Sequence, residues 1–148
     1  MKRVLVDTYA FLAAATDTLT PKAKELMKKI AMGEIKGVIH FLIIYEILYH
    51  WLKGRLPSFT SEKELLDYLK IYFLNVKITL DIVNQASKIK LKGDALLSEA
   101  EDPLLKKRRL SACDALTIAI GKILNLPILT GDKDLSYVAK KIGVEIIW

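Results

Sequence analysis

Val4-Leu5-Val6-Asp7, near the start of the chain, is a short apolar run closed by an acid, and Ile128-Leu129-Thr130-Gly131-Asp132 repeats that plan near the end. Neither run alternates polar with apolar residues. Such runs form parallel strands covered on both faces. Ligands of an open parallel sheet collect outside the carboxyl ends of its strands, where the winding reverses. Asp7 closes the first of these strands and Asp132 lies just past the second. If the two strands are neighbours, the two carboxylates meet in that crevice.

Working outward, residues 3–7 read as the first strand and Thr8 to Ala15 as a helix. Asp17 to Pro21 breaks it, and a second helix runs from Pro21 to Met32, with the proline suited to its first turn. Gly33 and Gly37 frame a turn into a strand at Gly37-Val38-Ile39. Phe41 to Lys53 is too long and leucine-rich for a strand and reads as a helix ended by Gly54 and Pro57. Ser61 followed by Glu64 has the spacing of a capping box, opening a helix to about Phe73. Val76 to Leu80 reads as a third strand, and Asp81 as the cap of a helix to about Lys92. The stretch Gly93 to Arg109 is ambiguous: Ala95 to Ala100 suits a helix and Asp102-Pro103 interrupts it. Ser111 caps a helix from Ala112 to Leu124. Asn125-Leu126-Pro127 turns into Ile128-Leu129. Leu135 to Ile142 forms a last helix stopped by Gly143, before a strand at Val144 to Ile147. Strands alternating with helices specify an α/β fold: a central parallel sheet of about five strands with helices on both faces.

The bulk composition fits one domain over residues 1–148. A hydrophobic fraction of 52% excludes a disordered tail protein. The single cysteine excludes an internal disulfide and a four-cysteine zinc site. The net charge of +6 favours a polyanionic partner. Met1-Lys2-Arg3 leads into an apolar run too short for a signal peptide. The longest apolar region, Val38 to Leu52, carries His40, Glu46 and His50 and falls short of the roughly 20 residues a bilayer span needs. The expected setting is therefore soluble and cytoplasmic, with no membrane.

Two further acids stand in apolar surroundings. Glu46 lies among Ile43, Ile44, Tyr45, Ile47, Leu48 and Tyr49, where an ionised carboxylate needs a partner, a metal or a solvent-facing edge. Asp114 lies in the first turn of the Ala112 helix. Each acid also has an ordinary structural use: Asp7, Asp132 and Asp134 as caps or turn formers, Asp114 against a helix dipole, Glu46 on a polar helix edge. Their joint placement is what points to chemistry. Converging carboxylates repel, and a hard divalent cation removes the repulsion, so an all-oxygen set suits Mg²⁺ or Mn²⁺. With only His40 and His50 available, both read as structural, metal-activated water is the economical nucleophile for a phosphodiester.

Leu5-Val6-Asp7-Thr8, the helix bearing Glu46, Ser111-Ala112-Cys113-Asp114-Ala115-Leu116-Thr117-Ile118-Ala119 and Leu126-Pro127-Ile128-Leu129-Thr130-Gly131-Asp132-Lys133-Asp134-Leu135 together resemble a PIN-domain ribonuclease over nearly the whole chain. The resemblance implies a three-layer sandwich with an Mg²⁺- or Mn²⁺-dependent site at the strand ends. Carried over by position, Asp7, Glu46, Asp114 and Asp132 form the acidic site, and Asp134 is an auxiliary ligand or shapes it. Thr130 orients acids and water, with Thr8 in similar support. Compact proteins of this kind are often type II toxins, called VapC-like. That implies RNA cleavage, a small antitoxin partner and a homodimer. Two departures stand out: Leu135 where an aromatic is common, and a long Gly93–Arg109 segment. One cysteine makes the zinc-ribbon members a poor match.

Lys106-Lys107-Arg108-Arg109 is the densest basic run and precedes the Asp114 helix, where cations gain nothing from the dipole. It is a candidate RNA-backbone contact, or else a solvated loop. Tyr45, Tyr49, Trp51, Tyr68, Tyr72 and Phe73 read as core or dimer packing, and Cys113 as a buried apolar residue. Three competing functions fit less well or less specifically. One is a non-catalytic RNA- or protein-binding module, and another is an RNA-processing nuclease outside a toxin–antitoxin pair. The third is a receiver or haloacid-type phosphatase, which Thr8 and Tyr9 after Asp7 disfavour.

Overall fold

Strands β1 (Arg3–Val6), β2 (Lys36–His40), β3 (Phe73–Val76), β4 (Ile128–Leu129) and β5 (Ile146–Ile147) form one all-parallel sheet in the order β3-β2-β1-β4-β5. The structure is a computed structural model and describes residues 2–148. The chain winds from β1 through β2 to β3 on one side, then crosses to β4 and β5 on the other. The winding therefore reverses between β1 and β4, which pair directly, Leu5 against Ile128 and Val6 against Leu129.

Among the described residues, eight helices complete the fold: α1 (Thr8–Ala15), α2 (Pro21–Ala31), α3 (Phe41–Leu52), α4 (Glu62–Tyr72), α5 (Leu80–Ser98), α6 (Pro103–Lys106), α7 (Ala112–Leu124) and α8 (Lys133–Ile142). Successive strand residues point to opposite faces, and the sheet uses both. Val4, Val6, Ile39 and Leu129 pack with Phe11 of α1, Ile30 of α2, Ile43 and Ile47 of α3, and Leu65 and Leu69 of α4. Leu5, Val38 and Ile128 pack with Ile82 and Ile89 of α5, Ile118 of α7, and Leu135 and Val138 of α8. Three layers result, as the apolar strand runs predict.

Four local expectations are corrected. The third strand is Phe73–Val76, not Val76–Leu80. The chain passes from α4 into β3 at Phe73 with no breaker between them. Gly37 selects the register, because a Cβ there would stand 2.6 Å from the Phe73 ring. Thr79, not Asp81, caps α5, its Oγ1 accepting from the Ile82 N–H at 3.4 Å. In α4, Ser61 caps as expected, but Glu64 reaches back to the Thr60 N–H and hydroxyl at 2.7 and 2.8 Å. Finally, α8 starts at Lys133 rather than Leu135, because Asp132 itself is the cap.

Helix α5 also runs straight through Gly93, where the sequence has it ending. The glycine is a contact residue rather than a breaker: a Cβ would meet Leu110 Cδ2 at 2.8 Å and Val138 Cγ1 at 3.2 Å. Helix propensity alone makes Gly→Ala favourable by about 1 kcal/mol. Overpacking a filled core costs about 1–3 kcal/mol. Gly93→Ala is therefore expected to lower the urea midpoint of unfolding; a raised midpoint would show that the α5 contact has room to spare.

Candidate active site

The β1–β4 junction places Asp7 opposite Thr130. The Asp7 N–H donates to the Leu129 carbonyl at 3.1 Å, and the Thr130 N–H to the Ile147 carbonyl at 3.2 Å. The fully buried Thr130 hydroxyl donates to Asp7 Oδ2 at 2.8 Å and accepts from the Asp132 N–H at 3.1 Å. One hydroxyl thus ties together the two acids that close β1 and follow β4. Both also cap helices. Asp7 Oδ2 accepts from the Tyr9 N–H at 3.3 Å, and Asp132 Oδ1 from the Leu135 N–H at 2.9 Å. Each keeps its second oxygen free of hydrogen bonds among the described residues.

Glu46 lies on α3, whose inner face buries Ile43 and Ile47 and whose outer face exposes Phe41, Tyr45, Tyr49 and Leu52. It occupies the edge between them. The Thr8 hydroxyl donates to Glu46 Oε2 at 2.5 Å, linking the start of α1 to α3. Asp114 is placed by the Ser111 cap, whose Oγ accepts from the Asp114 N–H at 3.0 Å. All five predicted acids, Asp7, Glu46, Asp114, Asp132 and Asp134, line one cavity of about 500 Å³ with Thr8, Tyr9, Tyr49, His50, Arg108 and Arg109.

Electrostatics divides these acids. Asp134 is buried and paired: Arg108 Nε donates to its Oδ2 at 2.8 Å. Asp7, Glu46, Asp114 and Asp132 have no cationic partner within salt-bridge distance among the described residues. Burial pushes the Asp114 carboxyl up to about 8, aided by Asp7 and Asp132. Burial likewise raises Asp7 to about 6; Asp132 and Glu46 add to it, while the Thr130 hydrogen bond opposes it. No group of three His, Cys, Asp or Glu side chains stands in metal-holding geometry among the described residues. The donor set nevertheless fits Mg²⁺ or Mn²⁺. It is all oxygen and short of counter-charge, and Mg²⁺ uses one or two carboxylates while keeping several waters.

The remaining candidates separate. In the basic run, Arg108 and Arg109 line the acid cavity, Lys107 lines a neighbouring one, and Lys106 lines neither. Arg109 also stands 3.9 Å from Asp94, which accepts from the Leu110 N–H at 2.8 Å and pairs with Lys90. His40 is fully buried, and burial lowers it to about 4. Thr117 Oγ1 donates to the Cys113 carbonyl, so it accepts a hydrogen bond from the His40 Nε2–H at 2.8 Å, leaving Nδ1 without a partner among the described residues. His50 lines the cavity, but its Nδ1 accepts from Arg55 at 2.8 Å. Burial, then Glu46, Asp7 and Asp114, hold the Cys113 thiol protonated. Phe73 is buried and Trp51 and Tyr68 are half-buried, as read, whereas Tyr45, Tyr49 and Tyr72 are exposed. Sequence reasoning missed Tyr9 at the cavity edge, braced edge-on by Trp148 at 5.3 Å, and Asp94, which anchors the basic run. Its missed signal was an acid four residues after Lys90.

An all-parallel sheet carrying an acid-lined cavity at its switch point is a frame that places a ligand among carboxylates. The PIN domain family model matches residues 4–141, and the chain belongs to that family. PIN domains are generally nucleases, and PIN nucleases generally use divalent metals. No curated protein matches the sequence. Among solved structures, PAE2754 from Pyrobaculum aerophilum is similar in fold. It has a TM-score of 0.62 and 18% identity, covering 99% of this chain and 89% of that one. FitAcB from Neisseria gonorrhoeae has a TM-score of 0.55 and 12% identity, covering 98% and 96%. Among the described residues no helix is long and apolar enough to cross a membrane.

The raised carboxyls fix the sign of a pH effect. A carboxyl raised in the folded state binds its proton more tightly there than in the unfolded chain, so stability falls as pH rises towards the folded value. Between pH 6.5 and 8, with metal chelated, Asp114 is the raised group still titrating. The melting temperature is expected to fall across that window, and Asp114→Asn to flatten the fall and melt higher at pH 8. Equal slopes in both proteins would show that Asp114 is not held protonated.

Proposed function

We propose that this protein is a divalent-metal-dependent endoribonuclease that hydrolyses RNA phosphodiester bonds with activated water. The observation that carries the reading is one cavity lined by Asp7, Glu46, Asp114 and Asp132, four acids without cationic partners among the described residues, at the switch point of the sheet. Asp7, Asp114, Asp132 and Glu46 would hold Mg²⁺ or Mn²⁺. When bound, such an ion supplies Lewis acidity towards the phosphoryl oxygens and lowers the pKa of a water. The protein's own part is orientation. Thr130 spends one Asp7 oxygen and the Asp132 N–H on a fixed geometry, and Thr8 spends one oxygen of Glu46. Each acid is left with an oxygen for a ligand. Locked donors lose little freedom on binding. The net charge of +6 draws phosphate towards an acid pocket that would otherwise repel it.

The motif resemblance supports RNA as the substrate and a cytoplasmic toxin restrained by a small antitoxin. The exposed α3 row Phe41, Tyr45, Tyr49 and Leu52 supports a protein partner, antitoxin or second copy, beside the site. An RNA-processing nuclease would share the chemistry without the antitoxin.

Cleavage of a mixed RNA pool tests the reaction. Cutting is expected with Mg²⁺ or Mn²⁺ and to stop with chelator. Asp7→Asn should lose at least about a hundredfold in rate, from several kcal/mol of lost charge stabilisation. Thr130→Val should lose about 10–100-fold, as for groups that orient metal ligands. Equal cutting by Asp7→Asn would assign the activity to a contaminant and overturn the proposal.

A further inference from the structure

Asp134 differs from the other acids of the cavity in having a counter-charge already. Arg108 donates through Nε to Asp134 Oδ2 at 2.8 Å; the aspartate side chain is 10% exposed and the arginine side chain 62% exposed. A guanidinium at that distance disfavours a divalent cation on the same carboxylate, since like charges at contact repel strongly in a partly desolvated site. The pair has another consequence. With Nε committed, the guanidinium plane is fixed, and both Nη groups remain without partners within the chain among the described residues. Such a fork matches two oxygens of a phosphate.

Its position matches as well. Arg108 lines both the acid cavity and a second cavity of about 490 Å³, which also share Tyr9, Asp132 and Asp134. The second cavity is further walled by Asp102, Leu104, Leu105, Lys107, Gly131 and Lys133. It therefore offers apolar surface and two further cations beside one further acid, Asp102, which caps α6 through the Leu104 N–H. A phosphate gripped by Arg108 would lie between a nucleotide over the acids and its neighbour in the second cavity.

We propose that Asp134 is a positioning residue for an Arg108 phosphate clamp rather than a metal ligand, and that the second cavity takes the nucleotide next to the scissile bond. The proposal rests on the nuclease reading for the direction of the strand across the acids. It explains why the basic run lies before α7, where the helix dipole does not favour it. Arg108 and Arg109 line the acid cavity and Lys107 and Arg108 the second, while Lys106 is left to solvent.

Two titrations test it. The first measures binding of a short labelled single-stranded RNA in EDTA, where no cleavage occurs. Arg108→Ala is expected to weaken binding about tenfold and to lower the salt slope by about one. Arg108→Lys keeps the charge without the fork and should recover only part. Asp134→Asn removes a negative charge from the RNA face, so simple electrostatics predicts tighter binding. The clamp predicts weaker binding, by an amount close to that of Arg108→Ala. The second titration follows Mn²⁺ by electron paramagnetic resonance without RNA. Arg108→Ala and Asp134→Asn should each shift Mn²⁺ affinity by at most about threefold, as a screened, indirect charge does. Asp7→Asn should abolish the site. RNA binding unchanged by Arg108→Ala, tightened by Asp134→Asn, or a large loss of Mn²⁺ in Asp134→Asn would each overturn the clamp. Melting temperatures verify that the variants fold. A parent protein that bound no Mn²⁺ would refute the nuclease reading, while the RNA titration in EDTA would still decide the clamp.

Discussion

The site depends on one buried hydroxyl. Thr130 donates a hydrogen bond to Asp7 and accepts one from the backbone N–H of Asp132. Without that bridge, two carboxylates at adjacent strand ends have every electrostatic reason to separate. The bridge exists because β1 and β4 pair in a register that brings Asp7 level with Thr130. That register follows from apolar residues on both faces: a slip of one residue would turn Leu5 and Ile128 to the wrong layer. Core packing thus sets the chemistry.

The same packing makes the acids costly. Asp114 and Asp7 are held above the usual carboxylate range mainly because burial removes their water. A fold that keeps such groups without a cation at hand stores a demand for positive charge. Asp134 has met that demand within the chain, through Arg108, and among the described residues the others have not. The five acids of the cavity are therefore not equivalent, although the sequence presents them alike. The basic run is organised to match. Asp134 holds Arg108, while Asp94 holds the Leu110 backbone and stands close to Arg109.

Most of the sheet was legible in the sequence because its central strands carry unbroken apolar runs. Glu46 and Asp114 could be named because an acid in an apolar stretch stands out, and Asp7 and Asp132 because each closes or follows an apolar strand. The Ser111 cap was legible for the same local reason. What escaped was set by distant contacts. Nothing local marks the switch from helix to strand at Phe73; Gly37, across the sheet, does. Gly93 reads as a breaker until Leu110 and Val138 are seen against it. The partner of Arg108 lies 26 residues along the chain, and no spacing rule joins the two. Tyr9 borders both cavities, yet nothing in its sequence context sets it apart from an ordinary helix residue.

Anomalous diffraction from crystals soaked in Mn²⁺ would test the central claim most directly, because it locates the ion rather than its effects. The account predicts a peak in the acid cavity, bonded by Asp7 and at least one of Asp114, Asp132 and Glu46, with Asp134 still on Arg108. An acid cavity without a peak at saturating Mn²⁺, or a peak held elsewhere, would contradict it.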